Sequence, residues 1–468
     1  MSEEGRRIDP QDWQAFRRDA DGFLGVCIER LAHARELPWV PAPDDMLDTV
    51  SLAECEDPLP LDRLLNEISE NIMPYATGNT HPRFFGWVHG TGTAAGVLAE
   101  MAAATMNANL GGRDHGAMRV EAAVIEWLLK VADFPAQASG ILTTGTSQAT
   151  ILALSAARTK LFGPKVRQEG IASLPKMAVY VADGAHNCIK KALEVMGHGA
   201  NALRTIPVDA AGAMDTKALL QALEEDRQNG IQPLAVTGTA GSVNLGAFDP
   251  LEELARICAE QDIWLHVDAA FGFWTRIADA PYRQLSKGLE QANSVALDFH
   301  KWLSVPYDCG ACLISDRDVH YAAFAARPDY LAPAAEGLAG GENWYCDYGL
   351  ELSRGFRALK AWATVKSAGT RALGDYVTDN CKQAALMGQL VEASEKLRLA
   401  RPVYSNVCVF EPLGANPAEI AARLQLEGES VFSTTRVDGV ECLRAAIVNH
   451  RTTSDDIRRA VASVEAAM

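Results

Sequence analysis

The chain has 468 residues, 48% apolar and 22% charged, so it can bury a large core without disulfides or metals and is no disordered polymer. Its 43 Lys and Arg stand against 60 Asp and Glu, a net charge of −17 that offers no basic footprint for nucleic acid or a membrane surface. A local basic pocket for a small anion stays open, and the Ala-rich stretch Thr93–Met106 is broken by Glu100, which argues against a membrane span.

The first residues, Met1-Ser-Glu-Glu-Gly-Arg-Arg, carry acids and no apolar segment, unlike a secretory signal. Residues 1–93 read as helices and breakers. Leu61-Asp-Arg-Leu-Leu-Asn-Glu-Ile has apolar residues at helical spacing. This stretch has too little apolar surface for a domain and reads as an arm that packs on something else. From Thr93 to about residue 315 the texture changes. A helix is expected over Val120–Asp133, then apolar runs at Met177–Val181, Leu234–Thr237, Ile263–Val267, Ser294–Leu297 and Ala311–Ile314. Helical patterns at Asp215–Arg227 and Pro250–Glu260 lie between them. Strands alternating with helices predict an α/β fold with a mostly parallel sheet. Ligands bind such sheets beyond the C-terminal strand ends. Ala325–Asp347 reads as a long loop, Leu352–Gly369 as a helix, and the remainder as a smaller α+β unit with strands at Cys408–Phe410 and Glu441–Val448. The expected division is 1–93, 94–362 and 363–468. Ten scattered cysteines read as reduced thiols of a cytoplasmic chain.

The polar residues of interest follow the apolar runs. Thr143-Thr-Gly-Thr146-Ser147-Gln-Ala-Thr150 opens a helix, where backbone N–H groups and hydroxyls can cradle an anion or serve as a plain N-cap. Asp183-Gly-Ala-His186-Asn follows the second run, and its His could equally be an ordinary loop residue. His266-Val-Asp268-Ala-Ala270 offers an acid beside small residues, suited to a flat cationic ring or to a turn. Asp298-Phe-His300-Lys301-Trp302 places a lysine in an apolar neighbourhood, where desolvation would lower its pKa and make it a nucleophile; a solvated lysine is the ordinary alternative.

Taken in this order, the motifs match what pyridoxal 5′-phosphate requires: a phosphate cradle, a stacking residue, an acid for the ring nitrogen and a lysine for its aldehyde. With His81-Pro-Arg-Phe-Phe, the Glu121…Trp127 helix and Leu352-Ser-Arg-Gly-Phe-Arg-Ala-Leu-Lys-Ala-Trp362, the sequence resembles the group II pyridoxal-phosphate amino-acid decarboxylases, nearest the aromatic branch. The resemblance runs from about His81 to Arg444. It implies the fold-type I, aspartate-aminotransferase-like architecture, with a dimer-swapped helical arm and a small C-terminal domain. It implies that Lys301 forms the internal aldimine, Asp268 pairs with the ring nitrogen, His186 stacks on one ring face and Ala270 packs on the other. Thr146, Ser147 and His300 would hold the phosphate and Thr239 would lie near the ring oxygen. Ser353 would reach the neighbouring subunit's cofactor in a homodimer. Trp87, His89, Asn109 and Arg444 would meet the substrate. Tyr330, in Arg327-Pro-Asp-Tyr-Leu, would protonate the substrate carbon after carbon dioxide leaves, where related aldehyde synthases carry Phe.

The expected reaction is therefore decarboxylation of an L-amino acid, aromatic first, through the quinonoid to the amine. An acidic or other polar substrate, or an aldehyde synthase or aminotransferase on the same scaffold, are the alternatives. Two departures stand out. Asp298 replaces the Asn of many relatives and brings a carboxylate near the phosphate. Asn109 and Gly111 make the pocket roomier and more polar there. Cys309-Gly-Ala-Cys312 has redox spacing but no second pair and lies in an apolar run. Gly145-Thr-Ser147-Gln-Ala149 lacks the last Gly of a nucleophile elbow, and no His-Glu-x-x-His arrangement or other metal site is expected.

Overall fold

A computed structural model describes residues 8–53, 55–326, 334, 336–341 and 344–468. Seven strands form the central sheet: β1 (Ser139–Thr143), β2 (Met177–Ala182), β3 (Leu203–Ile206), β4 (Gln232–Thr239), β5 (Trp264–Asp268), β6 (Ser294–Asp298) and β7 (Gly310–Ile314). Their spatial order is β1-β7-β6-β5-β4-β2-β3. The neighbours from β3 to β6 are parallel, whereas β7 runs against both β6 and β1. Strands covered on both faces read as continuous apolar runs, and every residue of β2, β5, β6 and β7 is buried.

All five apolar runs of this region are strands. The two not anticipated, β1 and β3, are the two edges of the sheet. Ser-Gly-Ile-Leu-Thr is too polar to stand out, and Leu-Arg-Thr-Ile is short and half solvated. The helices between strands pack against the sheet by amphipathic faces. Thr216–Gln228 is capped by Asp215, whose carboxylate accepts from the N–H groups of Lys217 and Ala218, and it buries Leu219 and Leu223. Gly116–Ala132 buries Val124, Ile125 and Leu128. The expected helix after Leu352 begins at Arg357 and runs to Glu392, interrupted at Gly369, whose φ of 78° breaks the helical ladder.

A second sheet, β8 (Leu397–Leu399), β9 (Val407–Pro412), β10 (Ser433–Val437) and β11 (Val440–Ala446), is antiparallel throughout in the order β10-β11-β9-β8. Its own core joins Met387, Val391, Phe410, Phe432, Leu443 and Ile457. Phe85 belongs to that core, and Phe84 bridges to Val431, so the segment entering the large unit first closes on the C-terminal one. The helix Trp13–Ala32 buries none of its residues within this chain. No helix among the described residues is long and apolar enough to cross a membrane, and the nine cysteines other than Cys346 are free thiols.

Candidate active site

The parallel strands end at one edge of the sheet, and that edge carries the chemistry. β4 ends on Thr239, β5 on Asp268 and β6 on Asp298, with Lys301 three residues further on. A cavity of about 390 Å³ opens there. It brings together Trp87, His89, His186, Thr239, Asp268, Ala270, His300, Lys301 and Arg444 from segments far apart in the chain. Close backbone approach shapes it: a Cβ on Gly90 would lie 2.0 Å from the His300 carbonyl oxygen, so only glycine lets that segment seat against the lysine loop.

Asp268 is buried. Its Oδ1 accepts the Ala270 N–H at 3.2 Å, and its Oδ2 lies 3.7 Å from the Cys188 thiol. Burial pushes its carboxyl above the ordinary value, against the opposing charges of Lys301 and His186. His186 is exposed, and its Nδ1 accepts the Cys188 N–H at 3.2 Å, which fixes the ring. Thr239 Oγ1 is buried without a hydrogen-bond partner among the described residues, while its N–H donates to Asp249 at 2.7 Å.

Lys301 corrects an expectation. Burial alone would lower its pKa, but the Asp298 carboxylate lies 2.8 Å from its Nζ and, with Asp268, lifts it above the ordinary lysine value. The lysine thus has a carboxylate in contact with it, which favours its charged form over a desolvated free amine. His300 Nδ1 lies 2.9 Å from the Cys309 carbonyl oxygen, and its ring sits 4.4 Å from that of Tyr307. Burial and Lys301 together hold the His89 imidazole below its ordinary pKa.

Arg444 is buried, and burial pushes its pKa down to about 10. One guanidinium nitrogen donates to the Trp87 carbonyl at 3.0 Å and to Ser433 Oγ at 3.2 Å. Nε and Nη2 are buried and have no hydrogen-bond partner among the described residues, and Arg444 lines the cavity. Thr146 N–H and Oγ1 both donate to Asp298. Ser147 is exposed at the next position of the helix.

Asn109 and Ser353 do not reach this cavity within the chain. They line a separate one of about 350 Å³ with Trp344 and Cys346, where Asn109 Oδ1 accepts the N–H groups of Gly111 and Arg354, each at 2.9 Å. Tyr330 lies outside the described residues. Sequence reasoning missed Tyr307, Ser433 and Thr434, which also line the Lys301 cavity. The break Val305-Pro306-Tyr307 after Lys301 was a usable signal for the first; nothing local marks β10 as a cavity wall. Two motifs of the resemblance form a structural lock: the buried Arg354 guanidinium bonds Glu121 at 2.6 Å and the carbonyls of Leu110 and Leu142 at 2.8 and 2.7 Å.

The residues present fit a pyridoxal group. An orphaned hydroxyl, a buried carboxylate, a flat exposed imidazole, a small alanine and a primary amine surround one cavity. No metal-binding cluster occurs among the described residues. The conserved-domain profile of the pyridoxal-dependent decarboxylases matches residues 43–411. The aromatic-L-amino-acid decarboxylase of Bacillus atrophaeus is 29% identical over 417 residues, covering 86% of this chain and 84% of that protein. The L-2,4-diaminobutyrate decarboxylase of Rhizobium meliloti is 31% identical over 418 residues, covering 86% and 82%. The crystal structure of Oryza sativa TDC with PLP and tryptamine superposes with a TM-score of 0.90 at 23% identity, over 98% of this chain and 99% of that one.

Proposed function

We propose, for a chain that belongs to the pyridoxal-dependent decarboxylase family and so uses pyridoxal 5′-phosphate, that the substrate is an L-amino acid, aromatic first, and the product its amine. The observation that carries this reading is the convergence of Lys301, Asp268, His186 and the unpartnered Thr239 hydroxyl on one cavity. When bound, the cofactor supplies an aldehyde for amines and a ring that accepts the electrons released when a carboxylate leaves.

The chain's own groups do the rest. Lys301 Nζ is the primary amine that would hold the cofactor. Asp268 would hold a proton on the ring nitrogen. Its buried position makes that charge pairing strong, because little water screens it. His186 offers a flat face to the ring, and Ala270 leaves room on the other side. Arg444 directs its unpaired nitrogens to an anionic group of the substrate, the α-carboxylate or an acidic side chain. Trp87 and His89, whose rings stack at 5.7 Å, form an aromatic wall that favours an aromatic side chain. The walls also tighten the exclusion of water around Cα. Tyr330 is assigned the proton delivered to Cα on the strength of its sequence context.

The relatives at similar identity act on an aromatic amino acid in one case and diaminobutyrate in the other, so the aromatic wall is what supports the choice. A panel of amino acids scored for carbon dioxide release tests it, with Lys301→Ala as the control that must be silent. Release only from acidic or basic amino acids would reject the aromatic reading. Aldehyde, ammonia and peroxide in place of amine would favour an aldehyde synthase, and Tyr330→Phe should move the product in that direction.

The active unit is proposed to be a homodimer. The apolar side chains of Trp13, Val26, Ile28 and Leu47 on the arm, and of Leu98 and Met101 on the helix Ala94–Met106, lie exposed in the single chain. Ser353 and Asn109, stranded in their own cavity, would then serve the partner's site. A monomer by light scattering would reject this. The division at 93 and 362 is retained as part of the proposal, with limited proteolysis as its test.

A further inference from the structure

Asp298, where the family resemblance leads one to expect Asn, is held by many contacts in the structure. It ends β6, and 1% of it is exposed. Its Oδ1 accepts the Thr146 N–H at 2.8 Å and its Oδ2 the Thr146 hydroxyl at 2.6 Å. The same Oδ2 lies 2.8 Å from Lys301 Nζ and 3.9 Å from His300 Nε2. The backbone is held as firmly, since Trp274 Nε1 donates to the Asp298 carbonyl at 2.9 Å and the Asp298 N–H to that of Ala270 at 3.0 Å. There is no slack in the slot: a Cβ on Gly310 would stand 2.7 Å from Oδ1.

We propose that Asp298 is a positioning residue with two tasks: it pins the N-terminus of the helix Thr146–Phe162 through Thr146, and it is the counter-ion that keeps Lys301 an ammonium in the cofactor-free enzyme. The proposal rests on the pyridoxal-phosphate reading and adds to it how the lysine is stored. An amide here could accept from Thr146 but could not neutralise the lysine. A buried carboxylate is retained only where a cation and good donors offset its desolvation, and Asp298 has both. With both Thr146 donors committed, the free donors at this helix start with Ser147.

The consequence is chemical. The amine nitrogen adds to an aldehyde carbon with its lone pair, the carbon–oxygen bond breaks and water leaves. An ammonium must first give up its proton to solvent, so Asp298 slows capture at neutral pH. Lys301 also faces Asp268 from β5, His186 from the loop after β2, His89 from the N-terminal segment, and His300 and Tyr307 on its own loop. Among these only Asp298 touches Nζ as an anion. Burial opposes the pairing, yet the Asp298 carboxyl stays below its ordinary pKa because Lys301, His300 and Thr146 favour its charge.

The test uses the apoenzyme and pyridoxal, which lacks a phosphate, so that repulsion between phosphate and carboxylate does not enter. The rate of visible colour is followed against pH for wild type and Asp298→Asn. The wild-type rate should still be climbing past the ordinary lysine pKa. In the variant the midpoint should fall by about one pH unit and capture at neutral pH should quicken about tenfold. A purely structural role would change amplitude and leave the midpoint alone. Coincident midpoints overturn the proposal, as does a wild-type midpoint below the ordinary lysine value, which needs no variant to fold. If wild type gives no colour with pyridoxal phosphate either, the functional reading itself fails, which is a different result.

Discussion

The sheet edge that carries Lys301 and the N-terminal arm are built by opposite rules. Around the lysine every element is over-determined. β4 to β7 bury every residue but Gln232, Arg354 ties Glu121 to two backbone carbonyls, and Asp298 sits in a closed slot. The arm has sound local chemistry and almost no tertiary support. Asp12 caps the helix Trp13–Ala32 by accepting from the Gln14 and Ala15 N–H groups, yet Trp13 is 62% and Ile28 51% exposed. Its firm ties within the chain come after the helix, where Arg35 bonds Asp456 at 2.7 Å and the Arg451 carbonyl at 2.9 Å. A capped helix without a buried face is marginal alone, and Trp13–Ala32 has none among the described residues. The Lys301 cavity, in contrast, is lined by residues of one chain, with Asn109 and Ser353 in a separate cavity.

Four changes would break or sharpen this contrast. Glu121→Ala leaves the Arg354 cation buried and unpaired, and should cost about 3–5 kcal/mol in denaturant unfolding. A loss near zero would mean that the large unit is not locked as described. His320 comes next. Burial pushes its pKa down from 6.5 to about 4, with Ser139 Oγ 2.8 Å from Nδ1 and the Tyr348 carbonyl accepting from Nε2 at 2.7 Å. Its folded pKa is lowered, so its stabilisation is complete above pH 6.5 and is lost as pH falls towards 4. That amounts to about 3 kcal/mol. His320→Gln should flatten the fall in stability across this window by one proton's worth; an unchanged slope would show the imidazole is not held neutral.

On the arm the effects should be smaller and of another kind. Asp12→Ala should cost about 1 kcal/mol of helix stability, seen as fraying by hydrogen exchange in the first turn while the central sheet keeps its protection. Ile28→Ser should leave the unfolding of dilute single chains within about 0.5 kcal/mol of wild type. The same change should weaken self-association measured by sedimentation. If it destabilises the isolated chain as a core mutation does, the arm is packed within the chain and the comparison collapses.

The large pattern was legible because it depends on short-range rules. Strands buried on both faces must be continuous apolar runs, so β2, β4, β5, β6 and β7 could be read from the sequence, and the residues just past them, Asp268 and Lys301, had to fall at the C-terminal edge. The edge strands were not legible: β1 is buried but its five residues include Ser139, Gly140 and Thr143, and β3 is four residues long and half solvated. Trp87, His89 and Arg444 were placed at the site by resemblance and are found lining its cavity; Ser433 and Thr434 were not anticipated, because their strand is tied to the site only through the small sheet and the bridge from Phe84 to Val431.

The amino-acid order by itself determined the class of fold, through periodicity, and the kind of cofactor, through short motifs and the family they resemble. Only the tertiary structure put a carboxylate 2.8 Å from the Lys301 amine. A desolvated amine and an ion-paired ammonium have the same sequence neighbourhood, and the difference lies in the direction of one carboxylate, held against Lys301 by a threonine 152 residues away.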